Sequence, residues 1–190
     1  RAGRRMIASV PFMSCREDTD LAGAVIDSLK FAAAGERIAG KLPLTRLPRL
    51  ADVLASREGA LDCALAGLRA TDEAGGGETR LCLHLQVNGR LRLHCQRCLA
   101  EVGFDCVIDS RLLLVPPGAE WPAEDLETDD CDAIPASREL SVLSLVEDEV
   151  LLALPLVPRH ADCLPPVAAE AAEEKSEPSP FAVLAGLKKH

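Results

Sequence analysis

From Leu81 to Leu93 the chain repeatedly sets a leucine on every second residue: Leu81, Leu83 and Leu85, then Leu91 and Leu93, with Cys82, His84, Arg92 and their like between them. A period of two matches the pleat of a half-buried β-strand, whose successive side chains point to opposite faces. Asn88-Gly89 interrupts the run and reads as a turn. A two-residue loop there would oppose Leu85 to Arg92 and mix the faces. A three-residue loop, Val87-Asn88-Gly89, opposes Leu85 to Leu91, Leu83 to Leu93 and Leu81 to Cys95, with Gly89 in the left-handed bulge position. The expectation is a hairpin of strands 79–87 and 90–95. Its wet face carries Cys82, His84, Gln86, Arg90, Arg92 and His94.

The rest of the chain predicts an α+β fold: an antiparallel β-sheet with a few packing helices and a disordered C-terminal linker. Further strands are expected over 35–44, 60–69 and 101–115, the last continuing the alternation through Phe104, Cys106 and Ile108. Residues 24–34 permit a helix. Leu47, Leu50, Val53 and Leu54 stand at helical spacing behind Pro48, a good first-turn residue, so a helix is expected near 47–55. Another is expected over 141–154, where Val142, Leu145, Val146, Val150 and Leu154 share a side and Pro155 stops the run.

These segments assign 13–163 to a single domain with a mobile acidic loop at 118–137. The segment 164–180, rich in Pro, Ala and Glu, reads as a linker. Residues 181–190 read as a short amphipathic piece, Phe181, Leu184 and Leu187 recurring on one helical face, fit either to dock on a partner or to fold back on the sheet. Residues 1–12 read as a non-native or disordered extension, the preferred start being Met13.

Only 3% of residues are aromatic and none is Tyr, so a core must be built from Leu, Val and Ala. No apolar run approaches the roughly 20 residues of a membrane span, and neither a membrane nor a small-molecule substrate is expected as a partner. Residues 117–150 hold eleven acids and one arginine, a net charge of -10 against -9 for the whole chain. That distribution excludes a general electrostatic footprint for RNA, which needs clustered Lys and Arg. A local patch of Arg80, Arg90, Arg92, Arg97 and the hairpin histidines is compatible with contact to RNA or to a partner.

The chemistry of the chain concentrates in Cys95-Gln96-Arg97-Cys98, at the end of the returning strand. Two thiols at this spacing can chelate one metal or form one disulfide. Several of the eight cysteines fall on apolar strand parities, and those outside the C-x-x-C read as buried free thiols of a reduced cytoplasm. Zinc needs two further ligands for a closed tetrahedral site, and His160-Ala161-Asp162-Cys163 offers them. Cys95, Cys98, His160 and Cys163 are thus a candidate zinc set. A metal-free reduced pair in a tight inter-strand turn and a redox disulfide are the alternatives. A thioredoxin-like role fits worst, since that motif opens a helix and strands flank this one.

Glu147-Asp148-Glu149 raises the question of carboxylate chemistry. Adjacent helical positions lie about 100° apart, so the three acids do not converge on one ion, and a solvated or partner-facing helix face is expected. No nucleophile motif and no phosphate loop stands in the chain. Gly75-Gly76-Gly77 lacks the following lysine. No enzymatic activity is expected.

Three blocks carry a resemblance. Cys95-Gln96-Arg97-Cys98, then Leu145 through Pro155 with Val157-Pro158-Arg159-His160, then Pro180 through Lys188 follow one another in the order and spacing of the bacterial YceD family, the large ribosomal RNA subunit accumulation proteins. Some members look to carry a second group of cysteines after the leucine-proline helix, where this chain has one His and one Cys. The resemblance implies a cytoplasmic, non-enzymatic factor in the synthesis, processing or stability of 23S rRNA, working with preribosomal particles or ribosome-assembly proteins. The alternative is a small zinc-binding module that contacts structured RNA directly. Contact residues under either reading are Arg90, Arg92, Arg97, Glu147, Asp148, Glu149, Phe181 and Leu184.

Overall fold

The computed structural model describes residues 20–71, 79–121 and 131–163. Its spine is three long antiparallel strands, β4 (Ala60–Thr71), β5 (Thr79–His94) and β6 (Glu101–Val115). Strand β5 is central. It pairs with β4 from Asp62↔Asn88 to Thr71↔Thr79, and with β6 from Cys82↔Leu113 to His94↔Glu101. The expected hairpin around Asn88-Gly89 is therefore replaced by one continuous strand, in which Leu85 lies opposite Leu65 and Ser110 rather than Leu91. The parity explains why. Leu81, Leu83, Leu85, Val87, Leu91, Leu93 and Cys95 are all odd-numbered, so an unbroken strand keeps them on one face, and Val87, Leu91 and Leu93 are indeed buried. Gly89 serves close packing rather than a turn, because a Cβ there would stand 2.6 Å from Leu61 Cδ2.

Before the spine come β1 (Val25–Ile26), α1 (Ser28–Ala34), β2 (Arg37–Pro43) and β3 (Leu54–Ser56). Helix α1 starts on Asp27, whose carboxylate accepts the Lys30 N–H, and ends on Gly35 in the left-handed conformation at φ 65°. Strand β2 lies antiparallel on β4, and β3 pairs with the far end of β5 at Leu54↔Leu93. The helix expected near 47–55 is absent. One 3-10 turn, Leu44–Arg46, precedes this stretch and a second, Pro48–Leu50, lies at its start. Leu44, Leu47 and Leu50 recur every three residues, which is the 3-10 period, and all three are buried, whereas Val53 is exposed.

After the spine, β7 (Asp132–Pro135) lies parallel to β6, β8 (Leu140–Ser141) pairs with β1, and α2 spans Val142–Ala153. Part of the acidic segment expected as a loop is thus the edge strand beside β6 in a six-stranded sheet, which is mixed rather than wholly antiparallel. Serine 141 caps α2 by accepting the Ser144 N–H. Leu154 closes α2 in an extended conformation, as a residue before proline must. Leu42, Leu61, Leu65, Leu83, Leu85, Leu91, Leu93 and Leu112 fill the core, joined by Val142, Val146 and Val150 from α2 and by Phe31 and Ala32 from α1. The segments 1–12, 164–180 and 181–190, with Phe181 and Leu184, lie outside the described residues. No helix among the described residues is long and apolar enough to cross a membrane.

Candidate metal centre

The reversal from β5 to β6 is the C-x-x-C turn itself. Cys95 N–H donates to the Ala100 carbonyl and Leu99 N–H to the Cys95 carbonyl, each at 2.9 Å, which folds the turn tightly enough to aim both sulfurs inward. Leu99 adopts φ 62°, a left-handed conformation uncommon for a branched side chain, and exposes 67% of its surface. Cys95 belongs to the core parity of β5 and is wholly buried, while Cys98 is partly exposed.

The second half of the site arrives from the chain beyond α2. Pro155 ends the helix, and the following segment crosses to the turn, where the Pro158 carbonyl accepts the Gln96 N–H at 2.9 Å. Arg97 Nη1 donates to the Cys163 carbonyl at 2.7 Å. His160 Nε2 stands 2.9 Å from the Glu101 carbonyl. A carbonyl only accepts, so this bond puts the ring proton on Nε2 and leaves the lone pair of Nδ1 free for a metal. Nδ1 faces Cys98 Sγ at 3.4 Å, and Cys95 Sγ faces Cys163 Sγ at 3.6 Å.

The four donor atoms of Cys95, Cys98, His160 and Cys163 lie within 4.8 Å of one another. Zinc bonds of about 2.3 Å to sulfur and 2.0 Å to nitrogen would set tetrahedral donors roughly 3.5–3.8 Å apart, so little movement separates this cluster from a Cys3His zinc site. Electrostatics agree. The Cys98 backbone N–H, followed by those of Arg97 and His160, holds the Cys95 thiol down at about 5, so this sulfur is a thiolate at neutral pH. Burial, together with the neighbouring Cys95 and Cys98 sulfurs, pushes Cys163 up. A divalent cation among these sulfurs would relieve the repulsion that contributes to holding Cys163 up.

Those expected contact residues that lie among the described residues have partners within the chain. Arg90 faces Asp105 at 3.7 Å, and Arg92 bonds Glu58 at 2.7 Å and Ser56 at 2.6 Å while facing Glu101 at 3.6 Å. Arg97 fastens the second half of the candidate metal cluster. Glu147, read from sequence as part of a solvated or partner-facing helix face, is instead 2% exposed and accepts the Arg49 N–H at 2.9 Å. It caps the second 3-10 turn from α2. Asp148 pairs with the Arg49 side chain and Glu149 accepts the Ser110 hydroxyl. The three acids diverge. Cys82, placed on the wet face, is buried, and it shares a hydrogen bond with Cys131 beside β7.

Sequence reasoning named the four residues that the fold brings together but missed their supports. The Glu101 carbonyl that sets the His160 tautomer and the left-handed Leu99 leave no signal in spacing or composition.

The chain is thus an α+β fold whose inter-strand C-x-x-C is joined by a His and a Cys from beyond the last helix. The family model for the large ribosomal RNA subunit accumulation protein YceD matches residues 83–188, which covers the clasp and most of the spine. The chain belongs to the YceD family. Among curated relatives, the large ribosomal RNA subunit accumulation protein YceD of Haemophilus influenzae is 33% identical over 105 residues. That alignment covers 50% of this chain and 59% of the relative. No solved structure matches the chain.

Proposed function

We propose that this protein is a non-enzymatic factor of large-subunit ribosome biogenesis, acting in the cytoplasm to support the synthesis, processing or stability of 23S rRNA. The observation that carries this reading is the family match across residues 83–188, which takes in the central strands, the clasp and the terminal segment together. The geometry supports a non-catalytic role: the successive acids of α2 cap a turn, pair with Arg49 and hold Ser110. In this reading zinc, held by Cys95, Cys98, His160 and Cys163, fastens the segment after α2 to the sheet, and residues 181–190, with Phe181 and Leu184, dock on an assembly protein or a preribosomal particle.

The alternative, a zinc module that grips structured RNA directly, has less support, because Arg90 and Arg92 are matched by Asp105, Glu58 and Glu101. Direct binding through several phosphates would weaken steeply with salt. Purifying the tagged protein from bacterial lysate with and without ribonuclease separates the two. Large-subunit assembly proteins retained after ribonuclease, and lost from a chain lacking residues 178–190, are the expected result. Complete loss of those proteins on ribonuclease treatment favours direct RNA binding.

A further inference from the structure

Three sulfurs share the cluster, but they are not equivalent. Cys95 Sγ and Cys163 Sγ face each other at 3.6 Å, whereas Cys98 Sγ faces His160 Nδ1 at 3.4 Å, and that ring is anchored through Nε2 to the Glu101 carbonyl. The two halves are also pinned together by polypeptide contacts that need no metal, Arg97 to the Cys163 carbonyl and Gln96 N–H to the Pro158 carbonyl. Cys163 is partly exposed, so a small oxidant can reach this sulfur while its partner is buried.

We propose that Cys95 and Cys163 form a redox-sensitive pair, which a peroxide converts to a disulfide that replaces the metal as the clasp. This rests on the zinc reading only for what is released. The bond balances simply. One thiolate attacks a peroxide oxygen, forming a sulfenic acid and expelling hydroxide or water. The second thiolate attacks that sulfur, forms the S–S bond and expels the remaining hydroxide. Each sulfur loses one electron, the peroxide gains two, and two protons complete the two waters. Cys98 and His160 remain, too few to hold zinc in a closed site, so the ion leaves. A disulfide is near 2.05 Å in S–S length, so the facing sulfurs need close by only about 1.5 Å. The outcome differs from that of a simple C-x-x-C redox motif. The cross-link spans β5 and the segment after α2, and that segment stays fastened while the metal goes.

Trypsin reads the connectivity, because it cuts after Arg92, Arg97, Arg111, Arg159 and Lys175 and so places Cys95, Cys98 and Cys163 in three different peptides. Full-length protein, both zinc-loaded and metal-free, is treated with stoichiometric hydrogen peroxide, alkylated, digested without reduction and analysed by mass spectrometry, with released zinc followed by a chromogenic chelator. Peptide 93–97 linked to 160–175 as the main cross-link, persisting in Cys98→Ser and absent from Cys163→Ser, is the expected result. A main cross-link between 93–97 and 98–111, or peroxide oxidation that stops at sulfinic acid, overturns the proposal. Protein that never binds zinc yet forms the 93–97 to 160–175 link removes the metal reading and leaves this pair standing. Zinc-binding protein that never forms it does the reverse.

Discussion

Glu147 is a carboxylate inside a leucine core, and its position is intelligible only through the Arg49 N–H that it accepts. The first N–H groups of a short turn have no partner of their own, and α2 supplies one from 98 residues away. Removing the acceptor leaves a buried donor unsatisfied, so Glu147→Ala should cost about 1–3 kcal/mol in denaturant unfolding, while Glu147→Gln, which keeps an acceptor, should cost less. Sequence could not show this, because neither Arg49 nor Glu147 carries a local mark of the pairing. Cys95 gives a second test at this scale. Backbone N–H groups, that of Cys98 foremost, lower its folded value from 9.0 to about 5, and a lowered value stabilises the fold wherever the thiolate persists. That contribution is complete above about pH 9 and is lost as pH falls towards 5. The thermal midpoint of the metal-free protein should therefore decline across this window, and a Cys95→Ser variant should lack that part of the slope.

Among the elements, β5 shows both the strength and the limit of pattern reading. Its alternation was legible and gave an apolar and a wet face, with buried Cys82 the exception on the wet side. Dipeptide chemistry at Asn88-Gly89 predicts a turn, but the parity that runs unbroken from Leu81 to Cys95 keeps the strand continuous. Helix α2 was legible throughout, from its buried stripe to its stop at Pro155. The two 3-10 turns were not, because leucines every three residues fit an α-helix nearly as well. The seat of α1 was invisible in sequence, since it depends on Gly67. A Cβ at this position would lie 2.4 Å from the Phe31 carbonyl oxygen and 2.6 Å from Ala32 Cα, both backbone atoms that cannot swing aside. Gly67→Ala should lift α1 from β4 and destabilise the domain by about 1–3 kcal/mol, visible as a lower denaturant midpoint.

At the scale of the molecule, the sheet and the segment beyond α2 meet at one cluster of four donors, and the account makes zinc the clasp between them. Natively purified protein should carry about one equivalent of zinc, and Cys98→Ser should lose both the metal and the thermal stability that it confers. Those four residues were legible because Cys95-x-x-Cys98 and His160-x-x-Cys163 each set two soft donors at chelating spacing. Their assembly was not, because the His160 tautomer and the Arg97 strap are properties of the folded backbone. The proposed role of this domain is support of the large ribosomal subunit. The most direct test is the ratio of 23S to 16S rRNA in a strain lacking the gene, followed by pulse-labelling under several growth conditions. The account predicts a lowered ratio that the intact gene restores. An unchanged ratio under every condition would contradict it.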